Sequence, residues 1–126
     1  MGITTLTGVI YFGHGARDIR WREPFDRLKQ LWQSAHPEIP CELAFLEMMT
    51  PSLTDAIQHL VDQNIQQIKI IPVFFGQGGH LRKDFPILLE EARAQFPNVA
   101  LSASCAVGES DLILQSILGF TIEQIR

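Results

Sequence analysis

The sequence has no long hydrophobic run, no recognisable leader and no excess of positive charge. No stretch approaches the ~18 consecutive apolar residues that a membrane-spanning helix needs. The N-terminal segment MGITTLTGVIYFG has neither a basic region nor a small-residue cleavage site, so we expect no signal peptide. The net charge of −4 at pH 7 argues against a nucleic-acid partner. These absences predict a cytoplasmic protein that binds neither membranes nor nucleic acid.

Cysteines are also scarce. Cys41 and Cys105 are the two in the chain, and they form no C-x-x-C motif. Two such distant cysteines indicate neither a disulfide scaffold nor a zinc knuckle. Both lie in apolar runs, so we expect both to be small core side chains rather than nucleophiles.

Motifs for phosphate binding and for covalent catalysis are missing. The segment GQGGHL lacks the third glycine of G-x-G-x-x-G, and GHGARD lacks the Lys-Ser/Thr pair of a P-loop. Ala16 follows Gly15, so the G-x-S-x-G nucleophile elbow is absent as well. Nucleotide-binding signalling modules and covalent enzymes are therefore less favoured than metal or acid–base chemistry.

What the sequence does contain is a regular alternation of strand-like and helical segments joined by short loops. The predicted strands are 7–12, 41–48, 67–75 and 99–104. The predicted helices are 24–35, a segment capped by Thr50 and begun by Pro51, a segment opened by Asp84 and Pro86, and 111–122. This alternation predicts one α/β domain over 1–126, a four-stranded parallel sheet in the order 2-1-3-4 and helices on both faces.

Three details of this arrangement can be tested in the structure. Pro72 lies inside the third predicted strand, and because a central strand needs its backbone donors, a β-bulge would reconcile it. Leu28 and Leu31 lie on the predicted inward face of the first helix. The last helix is partly apolar, which predicts packing on the sheet or a second interface.

Each of the first three strands ends near one group capable of metal or proton chemistry. His14 follows the first strand, Glu47 ends the second and His80 follows the third, at equal intervals of 33 residues. Carboxyl ends of neighbouring parallel strands fall within about 10 Å of one another at one edge of the sheet. Two imidazoles and a carboxylate there can share a divalent metal or move protons.

The segments GHGARD, FLEMMTPSL and PVFFGQGGHLRKD resemble the short sirohydrochlorin chelatases of the CbiX type, over about residues 8–106. The resemblance implies a chelatase-like, flavodoxin-like three-layer domain that inserts Co²⁺, Fe²⁺ or Ni²⁺ into a tetrapyrrole of cobalamin or siroheme biosynthesis. The metal is then a substrate, and no organic cofactor is implied. His14 and His80 match the family's active-site histidines and Glu47 its acidic partner, in catalysis and in metal binding. Short members pair, so a homodimer is also implied.

Glycines and cations complete the predicted site. Gly78 and Gly79 can admit a large flat ligand, and nearby cations can meet its peripheral carboxylates. These cations are Arg17, Arg20, Arg82 and Lys83. The chain departs from many family members at Ala16, where serine is usual, so a hydroxyl contact is absent there. The alternative function is a non-catalytic metal or tetrapyrrole carrier with the same fold.

Overall fold

Strands and helices alternate along the described chain. The structure, a computed structural model, describes residues 6–126 apart from the side chain of His80. Residues 1–5 lie outside the described residues, and they belong to the segment where no signal peptide is expected. The strands are β1 (Thr7–Gly13), β2 (Cys41–Phe45), β3 (Gln67–Pro72) and β4 (Ala100–Ala103). The helices are α1 (Glu23–Ala35), α2 (Leu53–Val61), α3 (Gly79–Gln95) and α4 (Asp111–Gln124), with 3₁₀ turns at Ile19–Arg22 and Val107–Glu109.

The four strands form one parallel sheet in the order β2-β1-β3-β4, which confirms the predicted order. β1 is central and carries Ile10 and Phe12, both fully buried. A strand with neighbours on both edges and helices near both faces must be apolar along most of its length. The run TGVIYF meets that requirement.

Two apolar clusters lie on opposite faces of the sheet because successive side chains of a strand alternate in direction. The larger cluster joins Ile10, Phe12 and Ile70 to buried residues of α2 and α3. The smaller cluster joins Phe25 of α1 to Leu43 and Phe45 of β2, with Tyr11 and Val73 packed against it. Helices therefore lie on both faces, as predicted, with α2 and α3 on one side and α1 on the other.

Pro72 is accommodated without the β-bulge that the sequence left open. The pairing of β1 with β3 runs without interruption from Thr7 opposite Gln67 to Phe12 opposite Pro72, where β3 ends. Because the next N–H, that of Val73, donates to the Phe12 carbonyl, the Pro72 nitrogen faces the β4 side. β4 has already ended there, so proline removes no donor from the sheet.

Two predicted helix starts are wrong. Ser52, not Thr50, caps α2, since its hydroxyl accepts a hydrogen bond from the Asp55 N–H. α3 begins at Gly79, and Pro86 lies inside it. The buried side chains of Leu81 and Phe85 before the proline and of Leu89 after it continue one apolar face of α3, and this packing outweighs the lost backbone hydrogen bond.

α4 does not pack on the sheet, contrary to the simpler expectation. It contains no buried residue, although Leu112, Ile117 and Phe120 are among its side chains. Across residues 6–126, no helix is both long and apolar enough to cross a membrane. α4 is thus an apolar helix that the described residues leave exposed.

Candidate functional site

The ends of β1 and β2 bring His14 and Glu47 together. The pairing of these strands continues past their ends, since Leu46 N–H donates to the Gly13 carbonyl at 2.9 Å and Glu47 N–H donates to the His14 carbonyl at 3.1 Å. His14 and Glu47 are both exposed. The structure therefore places two of the three predicted site residues side by side at the carboxyl edge of the sheet, open to a ligand.

Gly15 makes this junction possible. Its φ is 94°, in the region that favours glycine. A Cβ atom at this position would overlap the backbone carbonyl oxygen of Glu47. A residue without a side chain is required for the loop after β1 to approach the loop after β2 this closely.

The imidazole of His14 is oriented by its own loop. Its Nδ1 lies 3.3 Å from the Gly15 carbonyl oxygen. A carbonyl oxygen can only accept a hydrogen bond, so a hydrogen bond at this contact requires the proton of the neutral ring on Nδ1 and leaves the lone pair on Nε2. In that tautomer Nε2 can bind a metal ion or accept a proton.

His80 is described by its backbone alone. It is the second residue of α3, after Gly79 and the extended N-cap residue Gly78. α3 follows β3, which lies beside β1 on the side away from β2. Because the His80 side chain lies outside the described part, its pairing with His14 stays a prediction. Among the side chains that are described, no three His, Cys, Asp or Glu residues form a group able to hold a metal ion.

Gly78 and Gly79 border open space. A Cβ atom on either would meet no atom within 4 Å, and the same holds for Gly76. None of the three has a positive φ. No atom in the described chain therefore requires glycine at these positions. The predicted role of Gly78 and Gly79 is to leave room for a large flat ligand.

The predicted ligand-binding cations differ in whether their charged groups already bind a carboxylate of the chain. Arg17, Arg82 and Lys83 are exposed on the loop after β1 and at the start of α3. Arg20 instead donates its Nη2 to the Asp18 carboxylate at 2.7 Å. Hydrogen bonding from Arg20 lowers the pKa of the Asp18 carboxyl group. Arg20 is therefore a weaker candidate for a substrate carboxylate than the other three.

A cleft of about 470 Å³ between the loops after β1 and β2 is a feature that sequence analysis misses. Arg22 joins its two walls, since its Nη1 donates to the Thr50 carbonyl at 2.7 Å. Its Nε donates to Asp26 of α1 at 3.2 Å. Its guanidinium carbon also lies 5.0 Å from the centre of the Phe45 ring. The three arginines of the stretch RDIRWR could have drawn attention to this region of the sequence. Only the contact with Thr50, 28 residues away, distinguishes Arg22 from the other two arginines. The cleft is lined by Ala16, Arg17, Ile19, Arg22, Met48, Met49 and Thr50.

Met48 adds a strained position beside Glu47. Its φ is 66°, a conformation that side chains larger than those of asparagine or glycine rarely adopt. The side chain is 56% exposed on the wall of the cleft. Strain of this kind costs of order ~1–3 kcal/mol and is concentrated at ligand sites, so Met48 marks the cleft as part of the candidate site.

The two cysteines have different environments. Cys41 is buried, which confirms its predicted place in the core, but Cys105 is exposed, so that prediction is wrong for Cys105. β4 ends at Ala103, and the chain then turns toward the Val107–Glu109 segment, which carries Cys105 to the surface. Burial raises the pKa of the Cys41 thiol to about 11. Neither residue takes part in the arrangement of His14 and Glu47.

Thiol labelling checks this difference. At pH 8 the Cys41 pKa of about 11 makes the reactive thiolate more than ~100-fold rarer than for a thiol with the ordinary pKa of about 8.5. We expect a chromogenic disulfide reagent to label Cys105 rapidly and Cys41 only after denaturant is added. The Cys105→Ser variant should lose the rapid phase. Rapid labelling of Cys41 in the folded protein would contradict its buried position.

Sequence comparisons relate the chain to tetrapyrrole chelatases. The CbiX family model matches residues 8–119. A sirohydrochlorin cobaltochelatase from Priestia megaterium is 30% identical over 101 residues, which are 79% of this chain and 32% of that protein. A sirohydrochlorin ferrochelatase from Bacillus subtilis is 22% identical over 110 residues, which are 86% of this chain and 42% of that protein. The chain thus spans less than half the length of either relative.

The fold has a counterpart among solved structures. The crystal structure of a CbiX protein from Marinobacter aquaeolei VT8 superposes with a TM-score of 0.83 at 26% sequence identity. The match covers 94% of this chain and 97% of that one. The arrangement of strands and helices described above is therefore shared across nearly the full length of both chains.

Proposed function

Because the chain belongs to the CbiX family, we propose that it inserts a divalent metal ion, most readily Co²⁺, into sirohydrochlorin or a related tetrapyrrole. The relatives named cobaltochelatase and ferrochelatase support this substrate and the candidate metals cobalt and iron. Ni²⁺ is a third candidate, because imidazole ligands suit it as well. We further propose that residues 1–126 act as one chelatase domain and that two copies pair.

The observation that carries the proposal is the junction of His14 and Glu47. It is held by the hydrogen bond from the Glu47 N–H to the His14 carbonyl and lies beside the loop that leads to His80. Nε2 of His14, the carboxylate of Glu47 and the imidazole of His80 are ligand types that suit Co²⁺, Fe²⁺ and Ni²⁺. A site with few protein ligands leaves coordination positions open, which a metal in transit to a second ligand requires.

The same groups can accept protons. Insertion of the metal releases two protons from the pyrrole nitrogens, and a neutral imidazole near its working pKa is a suitable acceptor. With its proton on Nδ1 toward the Gly15 carbonyl, His14 offers Nε2 for this purpose. No organic cofactor is needed, because metal insertion involves neither electron transfer nor the transfer of an organic group.

Peripheral carboxylates of the tetrapyrrole call for local cations, since the chain as a whole is acidic. Arg17 lines the cleft beside His14, and Arg82 and Lys83 lie just beyond His80 on α3. Open space around Gly78 and Gly79 leaves room for a flat ring between these cations. The proposed substrate would thus lie over the carboxyl edge of the sheet.

Removal of two of these cations should weaken substrate binding more than chemistry. In the Arg82→Ala/Lys83→Ala double variant we expect KM for sirohydrochlorin to rise about tenfold, with kcat lowered less than twofold. The reason is that contacts to peripheral carboxylates act equally in the ground state and the transition state. Lys69→Ala, which removes an exposed cation from the body of β3, is the control. An unchanged KM in the double variant would show that Arg82 and Lys83 are ordinary solvated surface residues that do not contact the substrate.

The metal preference is tested by presenting Co²⁺, Fe²⁺ and Ni²⁺ in parallel, without oxygen, and following the absorbance of sirohydrochlorin. We expect the enzyme-dependent rate to be highest with Co²⁺. A higher rate with Fe²⁺ or Ni²⁺ would correct the metal while keeping the activity. The absence of acceleration with all three metals would refute the proposed function.

A further inference from the structure

Arg22 links the two loops that form the cleft beside His14 and Glu47. It ends the 3₁₀ turn Ile19–Arg22, and its Nη1 donates to the backbone carbonyl of Thr50 at 2.7 Å. The Arg22 side chain is only 25% exposed. This contact has no role in the reaction as proposed above, although it connects the loop that carries His14 to the loop that carries Glu47.

The 3₁₀ turn before α1 is anchored in the core. Trp21 stacks on Phe25 with 5.0 Å between the ring centres, and Phe25 meets the Phe45 ring of β2 edge to face at 5.5 Å. Within α1, a helix described throughout, Phe25 is the one buried residue. Leu28, on the predicted inward face, is half-buried, whereas Leu31 on that face is 50% exposed. The start of α1 is therefore the part of this helix that is fixed to the sheet.

The guanidinium group of Arg22 is held by three different contacts. Its Nε donates to the Asp26 carboxylate at 3.2 Å while its Nη1 donates to the Thr50 carbonyl. The guanidinium carbon lies 5.0 Å from the centre of the Phe45 ring, within reach of a cation–π interaction. The planar fork of arginine can make these contacts at the same time, which a lysine ammonium group cannot. The side chain therefore has a fixed position, unlike a freely moving surface cation.

Backbone hydrogen bonds hold part of the loop after β2. The Phe45 N–H donates to the Pro51 carbonyl at 2.9 Å. The Glu47 N–H donates to the His14 carbonyl at 3.1 Å. Neither bond involves the three residues that follow Glu47, so these two bonds alone do not fix the middle of the loop.

Met48 makes a restraint on the middle of this loop necessary. Its φ of 66° is a strained conformation for a side chain of this size. Such a conformation persists only where the surrounding contacts determine it. The hydrogen bond from Arg22 meets the carbonyl of Thr50, two residues later, and so holds the loop on the far side of the strained position.

We propose that Arg22 is a positioning residue, which holds the loop after β2 so that Glu47 keeps the place from which it acts on the metal together with His14. The inference rests on the proposed function, because Arg22 acts through Glu47. Its guanidinium is engaged within the chain, so it does not bind a carboxylate of the substrate. Arg22 differs in this respect from Arg17, which lines the same cleft and is exposed.

The Arg22→Met variant tests this role by steady-state kinetics. Methionine removes both donors and keeps a long apolar stem beside the Phe45 ring, so the fold should stay intact, which circular dichroism checks. We expect kcat for sirohydrochlorin metallation to fall about tenfold and KM to change less than about twofold, because a misplaced group at the reacting centre weakens the transition state more than binding. Arg27→Met, which removes an exposed arginine of α1, is the control and should keep the wild-type kcat. A raised KM with an unchanged kcat would overturn the inference, since Arg22 would then bind the substrate directly.

A double-mutant cycle with Glu47→Gln shows whether Arg22 acts through Glu47. If it does, adding Arg22→Met to the Glu47→Gln protein should lower kcat by less than about twofold further, because the group that Arg22 positions is already lost. A further loss of about tenfold in this background would overturn the inference, since the two residues would then act independently.

Hydrogen exchange tests the restraint without substrate and so separates it from the proposed function. We expect the Glu47 N–H, bonded to the His14 carbonyl, to exchange at least ~5-fold faster in Arg22→Met than in the wild type, and at the wild-type rate in Arg27→Met. Faster exchange in Arg22→Met, combined with a wild type that does not metallate, would refute the proposed function and leave the restraint standing. An unchanged rate of exchange at Glu47 in Arg22→Met would overturn the inference whatever the activity.

Discussion

Alanine at position 14 or 80 is expected to lower the rate of sirohydrochlorin metallation by at least ~100-fold without unfolding the protein. Loss of a positioned acid–base group typically costs a factor of about 10²–10⁴, and loss of a metal ligand from a site with few ligands adds to this. His14 is exposed in a loop, so its removal leaves no cavity in the core. The rate is measured from the absorbance change of the tetrapyrrole, and the fold from circular dichroism and thermal unfolding.

The remaining histidines provide matched controls. His36, at the end of α1, and His59, on α2, are exposed and contact carboxylates at 3.8 Å and 3.9 Å. His36→Ala and His59→Ala should keep the wild-type rate, because neither lies at the carboxyl edge of the sheet. If His14→Ala and His80→Ala both retained the wild-type rate, the assignment of the site would be wrong.

Gly15→Ala is expected to destabilise the protein by about 3 kcal/mol or more. A side chain at φ 94° is strained, and the added Cβ would overlap a backbone oxygen of Glu47, which cannot move aside as a side chain can. For a chain of this size the melting temperature should fall by roughly 10 °C. Thermal and urea unfolding give the change, and the loops after β1 and β2 should separate with loss of metallation activity.

Gly76→Ala is the control for this substitution. Gly76 has no positive φ, and a Cβ atom there would meet nothing within 4 Å. We expect its stability to change by no more than about 0.5 kcal/mol. A Gly15→Ala protein as stable as the wild type would show that the two loops do not meet as described.

The sheet could be predicted because its signals are local and repeated. Each strand is a short apolar run, each is followed by a helical pattern, and right-handed crossovers then restrict the order of the strands. The neighbourhood of His14 and Glu47 followed from one general rule, that the carboxyl ends of parallel strands share an edge. That rule places residues but not side-chain atoms, so it could not identify the hydrogen bond between their backbones.

The features that sequence reasoning missed depend on contacts between distant segments. Arg22 looks like any surface arginine until its loop meets Thr50. Pro86 signals the start of a helix, and only the burial of Leu81 in the core shows that α3 begins earlier. The exposure of α4 depends on how the turn at Gly108 is fixed against the loop after β3. None of these contacts leaves a periodic pattern in the sequence.

The number of turnovers per chain tests the central claim most directly. Sirohydrochlorin and Co²⁺ in large excess over the protein are followed by absorbance, against a protein-free reaction that gives the spontaneous rate. We expect each chain to metallate many tetrapyrrole molecules and the rate to be proportional to protein concentration. A change that stops at about one tetrapyrrole per chain would contradict this expectation and would indicate a carrier of metal or tetrapyrrole that keeps the chelatase fold.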